Sequence, residues 1–279
     1  MTRVQTFIAQ MTLILSSLLV ASCGGGAAGS LPAVSDIQID QVRYGQTSII
    51  KLLGSNLRQD FQVSISNCQG LVVLTGGNDS EQDVSCKPSA VGWLEVSAKS
   101  TDGVLMTRKG FDVPNPQVKI SSNFGDMVVE LNAAAAPITV NNFLKYVNAN
   151  FYNNTIFHRL IAQFVIQGGW LTSAMTEQGG AGAAIVLESN NGLKNKRGSI
   201  GMARAAMPNS ATTQFYFNFV DNANLDYQND QVPGYAVFGQ IVEGLNVLDI
   251  MAQISTATLY GLDNFPTSNL VIKSMVQVK

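Results

Sequence analysis

The feature that most constrains the fold is the tripeptide Pro114-Asn115-Pro116, near the middle of the 279-residue chain. Its two prolines remove two backbone hydrogen-bond donors, and each disfavours helical backbone in the residue before it. The sequence pattern also changes on the two sides of this point. We therefore expect a domain boundary here, and the chain is long enough for two domains.

The segment from residue 35 to residue 113 consists of short alternating runs separated by turn residues. The runs start near Ile37, Ser48, Phe61, Leu71 and Trp93. Several short strands with frequent turns are typical of a β-sandwich. The stretches LLGSNL and FQVSISNCQG resemble an immunoglobulin-like domain of the IPT type, and this resemblance implies a spacer or docking module. We predict an Ig-like β-sandwich over residues 35–113.

The segment after Pro116 has a different pattern. Residues 118–121 and 127–131 flank a turn and indicate a hairpin, and Pro137 opens a helix with apolar residues at i, i+3, i+4 and i+7. A second short helix is predicted near residues 245–252. Further strands are predicted at residues 164–167, 199–203, 214–219, 236–241 and 270–278. Many strands with two helices favour a closed barrel, so the predicted fold class is mainly β.

The first 22 residues have the layout of a secretory signal. Arg3 precedes an apolar stretch at residues 11–20, and the small residues Ala21 and Ser22 precede Cys23. Polar residues interrupt the apolar run, which argues against the alternative of a transmembrane anchor. The formal net charge of −2 provides no basic surface for a nucleic-acid partner.

The tetrapeptide Val20-Ala21-Ser22-Cys23 resembles the lipobox of bacterial lipoproteins, and an ordinary signal cleaved nearby is the alternative. The resemblance implies a signal peptide at residues 1–22 and a lipidated Cys23. Gly24 stands where the inner-membrane retention signal has Asp, which implies the periplasmic side of the outer membrane. Residues 23–34 are rich in Gly, Ala and Ser and are predicted to form a flexible tether. More than one acyl chain makes such anchoring stable.

Cys68 and Cys86 are the two remaining cysteines. An even pair in an exported chain favours a disulfide over a metal site. With one histidine and no Cys-x-x-Cys motif, the sequence has too few ligands for zinc, so no metal and no cofactor are expected.

The stretch FHRLIAQFVIQGG, which begins at Phe157, is similar to a signature of cyclophilin-type peptidyl-prolyl isomerases. The similarity continues through GSIGMARA, SATTQFYFN, LDY and YAVFGQIVEG and covers residues 117–279, and parts of it resemble the periplasmic bacterial branch. The resemblance implies an eight-stranded antiparallel β-barrel capped by two helices. It also implies catalysis of cis–trans isomerisation at X-Pro bonds.

The resemblance assigns the catalytic role to Arg159, whose guanidinium would face the proline amide. Phe164 and Val165 match apolar positions of the proline slot, and Gln167 matches a residue that orients the arginine and the substrate backbone. The other matched substrate-binding positions are Ala203, Arg204, Ala205, Gln214, Tyr216, Leu225 and Tyr235. The neighbouring His158 has no partner at catalytic-triad spacing, and isomerisation requires no base, so we expect a packing role for it.

Three of these positions depart from the family pattern. Tyr216 stands where the family normally has Phe, Tyr235 where many members have His, and Asn224 where Trp or Phe usually occurs. The Tyr216 hydroxyl can point inward or outward to water, and its polar neighbours Gln214 and Asn218 on the same strand face favour the outward direction. The departures put binding of the family's cyclic-peptide inhibitor in doubt.

The sequence therefore predicts an isomerase that assists the folding of exported proteins. Its partners would be proline-containing extracytoplasmic polypeptides and a membrane, without nucleic acid, and the chain would be a monomer. The competing hypothesis is a binding module that grips proline segments with little turnover. The carboxylates of Glu188, Asp221 and Asp226 show no paired arrangement and are expected to be solvated or in turns.

Overall fold

A computed structural model describes the backbone of residues 15–20 and all of residues 30–279. The chain divides into two compact units, residues 1–114 and 115–279. The predicted signal peptide and tether lie mostly outside the described residues. Within the described part of the chain, no helix is long and apolar enough to cross a membrane.

The first unit contains two antiparallel four-stranded sheets. Its strands are β1 (Leu15–Val20), β2 (Ala33–Ile39), β3 (Ser48–Ser55), β4 (Phe61–Ser66), β5 (Cys68–Val73), β6 (Glu81–Pro88), β7 (Gly92–Lys99) and β8 (Leu105–Val113). One sheet has the order β1-β4-β7-β8 and the other β2-β3-β6-β5. Alternate residues of the strands are fully buried, such as Ile50 and Leu52 on β3 and Leu94 and Val96 on β7. This alternation is the expected pattern of a sandwich core.

Cys68 and Cys86 form a disulfide in this unit, with their Cα atoms 5.7 Å apart. The bond joins the first residue of β5 to β6, which is the neighbouring strand in the sheet. The predicted bond is therefore present in the structure.

The second unit is a closed barrel with two helices, which is the fold that the sequence predicted. Its elements are β9 (Gln117–Ser122), β10 (Gly125–Leu131), α1 (Pro137–Asn148), β11 (Thr155–Ile161), β12 (Val165–Thr172), β13 (Ser199–Met202), β14 (Phe215–Asn218), a 3₁₀ turn (Ala223–Leu225), β15 (Val237–Glu243), α2 (Leu245–Met251), β16 (Thr256–Leu259), β17 (Leu262–Pro266) and β18 (Val271–Gln277). The barrel order is β10-β15-β13-β14-β12-β11-β18-β9. The β16–β17 hairpin lies outside the barrel order.

Aromatic residues fill the barrel interior. Phe215 and Phe217 on β14 are fully buried, and their rings lie 5.8 Å apart in an edge-to-face arrangement. Phe157 from β11 and Phe143 from α1 contact the same cluster. Side chains on a strand alternate between faces, so these inward aromatics leave Gln167 on β12 and Tyr216 on β14 on the outer face. This packing fixes the strands on which the candidate site is built.

Helix α1 receives its N-terminal cap from a distant loop. Glu188 accepts hydrogen bonds from the backbone of Ile138 at 3.1 Å and of Thr139 at 2.7 Å. A carboxylate here satisfies free amide groups and complements the helix dipole. Glu188 was expected to be solvated or in a turn, and this was wrong, because its partners lie about fifty residues away and the sequence pattern does not show them.

Candidate active site

The sole histidine and its neighbouring arginine lie at a β-bulge. On the β11–β12 ladder, Phe157 pairs with Gly168 and Arg159 pairs with Gln167, so His158 is an extra residue with no partner of its own in that ladder. A bulge redirects the side chains beside it. Phe157 is buried in the barrel, whereas Arg159 is only partly buried and lines a surface cavity. The bulge explains how a buried strand presents a cation at the surface.

Arg159 belongs to a chain of three polar side chains. Its Nη1 donates to Gln167 Oε1 at 3.4 Å, and Gln167 Nε2 donates to Gln214 Oε1 at 2.8 Å. Gln167 is directly opposite Arg159 in the ladder. These bonds restrict the guanidinium to one side of the cavity, although it carries no carboxylate partner among the described residues.

The structure brings the predicted site residues together around this chain. A cavity of about 200 Å³ is lined by Arg159, Phe164, Val165, Gln167, Ala203, Arg204, Tyr216, Leu225 and Tyr235. The remaining two, Ala205 and Gln214, line an adjoining cavity of about 240 Å³ together with Gln167. All the positions that the resemblance named as substrate-binding therefore line one of two neighbouring cavities.

A glycine on β13, Gly201, leaves room for the ring of Tyr216. Tyr216 pairs with Gly201 on one side and Gln167 on the other. A Cβ atom at Gly201 would lie within 2.3 Å of the Tyr216 ring. Because glycine leaves this space open, the aromatic ring can lie across β13 and form part of the cavity wall.

The hydroxyl of Tyr216 points into the protein and not to the rim as predicted. It donates to Asn195 Oδ1 at 2.6 Å, and the residue is only 4% exposed. Burial raises the pKa of this hydroxyl well above its usual value, with a smaller contribution from Tyr235. The prediction considered only the same strand face, but the acceptor comes from a loop 21 residues earlier in the sequence.

Asn195 is the centre of a buried polar network that the sequence did not indicate. Its backbone and side-chain nitrogens donate to Asp226 Oδ1 at 2.7 and 3.0 Å, so Asp226 is a structural acceptor and not a solvated residue. Asn218 also donates to Asn195 Oδ1, at 3.2 Å. Asn195, Asn218 and Asn222 stand apart in the sequence and resemble ordinary polar or turn residues, and only the repeated Asn within NKRG, FNF and DNAN could have suggested the network.

The network also reaches the apolar wall of the cavity. Asn222 Nδ2 donates to the backbone carbonyl of Phe164 at 2.9 Å and to Asn218 Oδ1 at 2.7 Å. The Phe164 carbonyl accepts a second bond from the backbone of Phe219. Phe164 lies in the turn between β11 and β12, and its position is fixed by these bonds to groups that are distant in sequence.

The opposite wall is formed by a stacked cation and aromatic ring. The guanidinium of Arg204 lies 4.6 Å from the ring centroid of Tyr235 and donates to the carbonyl of Gly234 at 2.9 Å. Tyr235 meets Tyr216 edge to face at 6.0 Å, and its backbone donates to Leu225. The two tyrosines that depart from the family pattern thus contact each other.

His158 is neutral and buried beside this site. It is 5% exposed, and its ring meets Trp170 edge to face at 5.3 Å. Burial, with a smaller contribution from the neighbouring charge of Arg159, lowers its pKa to about 4. The expected packing role agrees with this environment.

Comparison with known families accounts for the second unit. Residues 117–277 match the family described as "Cyclophilin type peptidyl-prolyl cis-trans isomerase/CLD". A crystal structure of a cyclophilin type peptidyl-prolyl cis-trans isomerase from Cryptosporidium parvum is similar in fold, with a TM-score of 0.50 and 25% identity, covering 60% of this chain and 99% of that one.

Bacterial isomerases are similar to the same region. A peptidyl-prolyl cis-trans isomerase of Acinetobacter baylyi is 45% identical over 166 residues, covering 59% of this chain and 86% of the relative. Peptidyl-prolyl cis-trans isomerase B of Escherichia coli is 41% identical over 160 residues, covering 57% of this chain and 97% of the relative. Together with the barrel and the site it carries, these matches show that the chain belongs to the cyclophilin type peptidyl-prolyl cis-trans isomerase family.

Proposed function

We propose that this isomerase accelerates folding of exported proteins while a lipid on Cys23 anchors it to the periplasmic side of the outer membrane. The observation that supports the catalytic part is the Arg159–Gln167–Gln214 chain beside an apolar cavity. The leader-like residues 1–22 and the disulfide of the sandwich support the export part.

The chemistry requires stabilisation of a twisted amide. Resonance gives the peptide bond a rotation barrier of about 18–20 kcal/mol, and the cis and trans forms of X-Pro differ by only about 0.5–1 kcal/mol. Twisting localises a lone pair on the proline nitrogen. A fixed hydrogen-bond donor that faces this nitrogen lowers the barrier without any proton transfer.

Arg159 is suited to this role by charge, restraint and surroundings. Its guanidinium is a planar cation, and Gln167 restricts its position. Phe164 and Val165 supply the apolar surface that receives the pyrrolidine ring. The donor and the apolar surface meet in one cavity, so binding the ring brings its nitrogen towards the cation and excludes water from it.

Exchange NMR on an Ala-Pro peptide tests the catalytic part. We expect exchange between the cis and trans resonances to speed up at catalytic amounts of protein. A protein that binds the peptide without speeding exchange would instead be a binding module, which was the competing hypothesis.

The disulfide of the first unit supports the export part of the proposal. Disulfides persist in oxidising compartments and are rare in the bacterial cytosol. Strand β1 lies within the predicted signal peptide, so cleavage after residue 22 would remove it and leave β4 as an edge strand of its sheet. The other sheet, which carries the disulfide, would keep all four of its strands.

Expression in a bacterial host with a radiolabelled fatty acid tests the anchor. We expect label on the wild-type protein and recovery in the outer-membrane fraction. Cys23→Ser should be unlabelled and released in soluble form from the periplasm, and Cys68→Ser is the matched cysteine control that keeps the label. An unlabelled wild-type protein would refute the lipid anchor.

A further inference from the structure

A third cavity, of about 240 Å³, adjoins the two that hold the predicted site residues. Arg159 and Gln167 line both this cavity and the one that contains Phe164. Gln167 and Gln214 line both this cavity and the one that contains Ala205. Gln167 therefore lines all three cavities, so a peptide bound at the proline cavity can reach the third cavity past this side chain.

The wall of the third cavity away from Gln167 is apolar. Trp170 follows the Gln-Gly-Gly motif on β12, and Leu262 begins strand β17 of the outer hairpin. Both pack against a buried cluster of Ile156, Leu171 and Phe265, which holds them in place. The ring of His158, which also lines this cavity, meets the Trp170 ring edge to face at 5.3 Å. The wall is therefore preformed and does not need a ligand to order it.

The charges at the cavity balance each other. Arg159 lies on the side of the proline cavity, and Asp263 lies at the exposed hairpin side, where Thr258 donates to its carboxylate at 2.7 Å. His158 is uncharged near neutral pH because burial lowers its pKa to about 4. A cavity with one cation, one anion and an apolar wall favours a neutral side chain over a charged one.

We propose that this cavity is a specificity subsite that takes a large apolar side chain, such as Leu or Phe, two residues from the substrate proline. In an extended peptide, side chains two residues apart point to the same side, so the proline ring and this side chain can occupy neighbouring cavities. The proposal rests on the peptidyl-prolyl isomerase function. It adds a sequence preference that the proline cavity does not provide.

The test compares kcat/KM, measured by exchange NMR, for peptides that carry Leu or Ala two residues before or two residues after the proline. At one of these two positions Leu should raise kcat/KM by about tenfold over Ala. Trp170→Ala and Leu262→Ala should each reduce this Leu/Ala ratio to within about twofold. Trp93→Ala is the matched control, because this exposed tryptophan lies on β7 of the other unit, and it should keep the wild-type ratio.

A second measurement needs no change at the cavity. The chain has two tryptophans, so Trp93→Phe leaves Trp170 as the single tryptophan reporter. The Leu peptide should shift Trp170 emission to the blue at concentrations about tenfold lower than the Ala peptide requires. This measurement remains available if Trp170→Ala does not fold.

Two results would overturn the subsite. One is turnover of all peptides with Leu/Ala ratios within twofold at both positions, which leaves the isomerase function intact. The other is a wild-type Leu preference that persists in both Trp170→Ala and Leu262→Ala. If a folded protein turned over no peptide, the isomerase function would fail instead, and the fluorescence titration would still decide whether the cavity selects Leu.

Discussion

The guanidinium of Arg159 has no carboxylate partner among the described residues, and its side-chain hydrogen bond there is to Gln167, which leaves donors free to face a substrate. Arg159→Ala should therefore lower kcat/KM on an Ala-Pro peptide by about two to three orders of magnitude, as for loss of one donor to a developing charge. The melting temperature should change little. Exchange NMR and thermal unfolding check the two halves of this prediction.

Arg159→Lys is the matched control for that change. Lysine keeps the charge but lacks the planar guanidinium that Gln167 orients, so its activity should lie between those of the wild type and the alanine variant. Turnover of Arg159→Ala within about twofold of the wild type would contradict the catalytic assignment.

The bond between Tyr216 and Asn195 leads to a second residue-scale prediction. Asn195→Ala leaves a buried hydroxyl unpaired and should lower the free energy of unfolding by about 1–3 kcal/mol. Tyr216→Phe should cost only about 1 kcal/mol, because Asn195 Oδ1 still accepts from Asn218. It should change kcat/KM by less than about threefold, since the hydroxyl points away from the cavity.

Urea unfolding of both single variants and the double variant measures the coupling between these residues. The loss in the double variant should be smaller than the sum of the two single losses by at least about 0.5 kcal/mol. Additive losses would show that the hydroxyl and Asn195 do not interact in solution.

His158 provides a pH-dependent prediction, because it is the sole histidine of the chain. Its pKa is about 4 in the folded protein against an ordinary 6.5, so the unfolded chain binds more protons between these values. Stability should therefore rise with pH in this window, and the contribution is lost as pH falls from about 6.5 towards about 4. The full effect is on the order of 3 kcal/mol.

The measurement is the free energy of unfolding of wild type and His158→Gln at pH 4.5, 6 and 7.5. The glutamine variant cannot titrate, so the difference between the two proteins should change steadily across the window. A constant difference would show that the histidine has the same pKa in the folded and unfolded states.

At the scale of elements, the sequence predicted those strands whose residues alternate strongly. The helix at Pro137 and the short helix before Ala252 are confirmed by the structure. Strand β8 was not predicted, because its burial does not alternate regularly, and neither was the β16–β17 hairpin, which is mostly exposed. Strand β6 was also missed, because most residues of its sequence EQDVSCKP are polar or charged although several of them are buried. Hydrophobic periodicity carries little signal for such elements.

The same limit applies to the candidate site. Residues within continuous motifs, such as Arg159 and Gln167, were identified because the motif itself places them on one strand pair. The bulge at His158 and the bonds made by Asn195 depend on pairing register and on loops distant in sequence. Local patterns do not determine either of these, so the orientation of Tyr216 was predicted wrongly.

The disulfide between β5 and β6 leads to an element-scale prediction. The bond closes a short loop, with a sequence separation of 18, and should stabilise the sandwich by about 3 kcal/mol through the unfolded state. The double variant Cys68→Ala and Cys86→Ala should therefore unfold its sandwich at lower temperature. Scanning calorimetry with and without reductant measures this, and the barrel transition should not move.

Thiol labelling of the oxidised protein is the direct control for this prediction. Cys68 and Cys86 should remain unlabelled until the protein is unfolded and reduced. Two reactive thiols in the oxidised folded protein would contradict the bond.

At the scale of the whole molecule, the residues of the candidate site all belong to the second unit. That unit has its own core, and its ends are tied together because Val278 donates to the carbonyl of Gln117 at 2.8 Å. The barrel is also closed, so it has no edge strand that depends on the first unit. These features indicate a domain that folds and acts without the sandwich.

A truncated protein of residues 115–279 should therefore have the same kcat/KM on an Ala-Pro tetrapeptide as residues 30–279, within about twofold. If the sandwich binds unfolded substrate proteins, the two proteins should differ on a full-length unfolded substrate whose refolding rate is limited by isomerisation of an X-Pro bond. Docking would raise the local concentration of prolines at the barrel, so the longer protein should accelerate that refolding several-fold more. Equal acceleration would make the sandwich a spacer, whereas a large loss on the tetrapeptide would contradict the independence of the barrel.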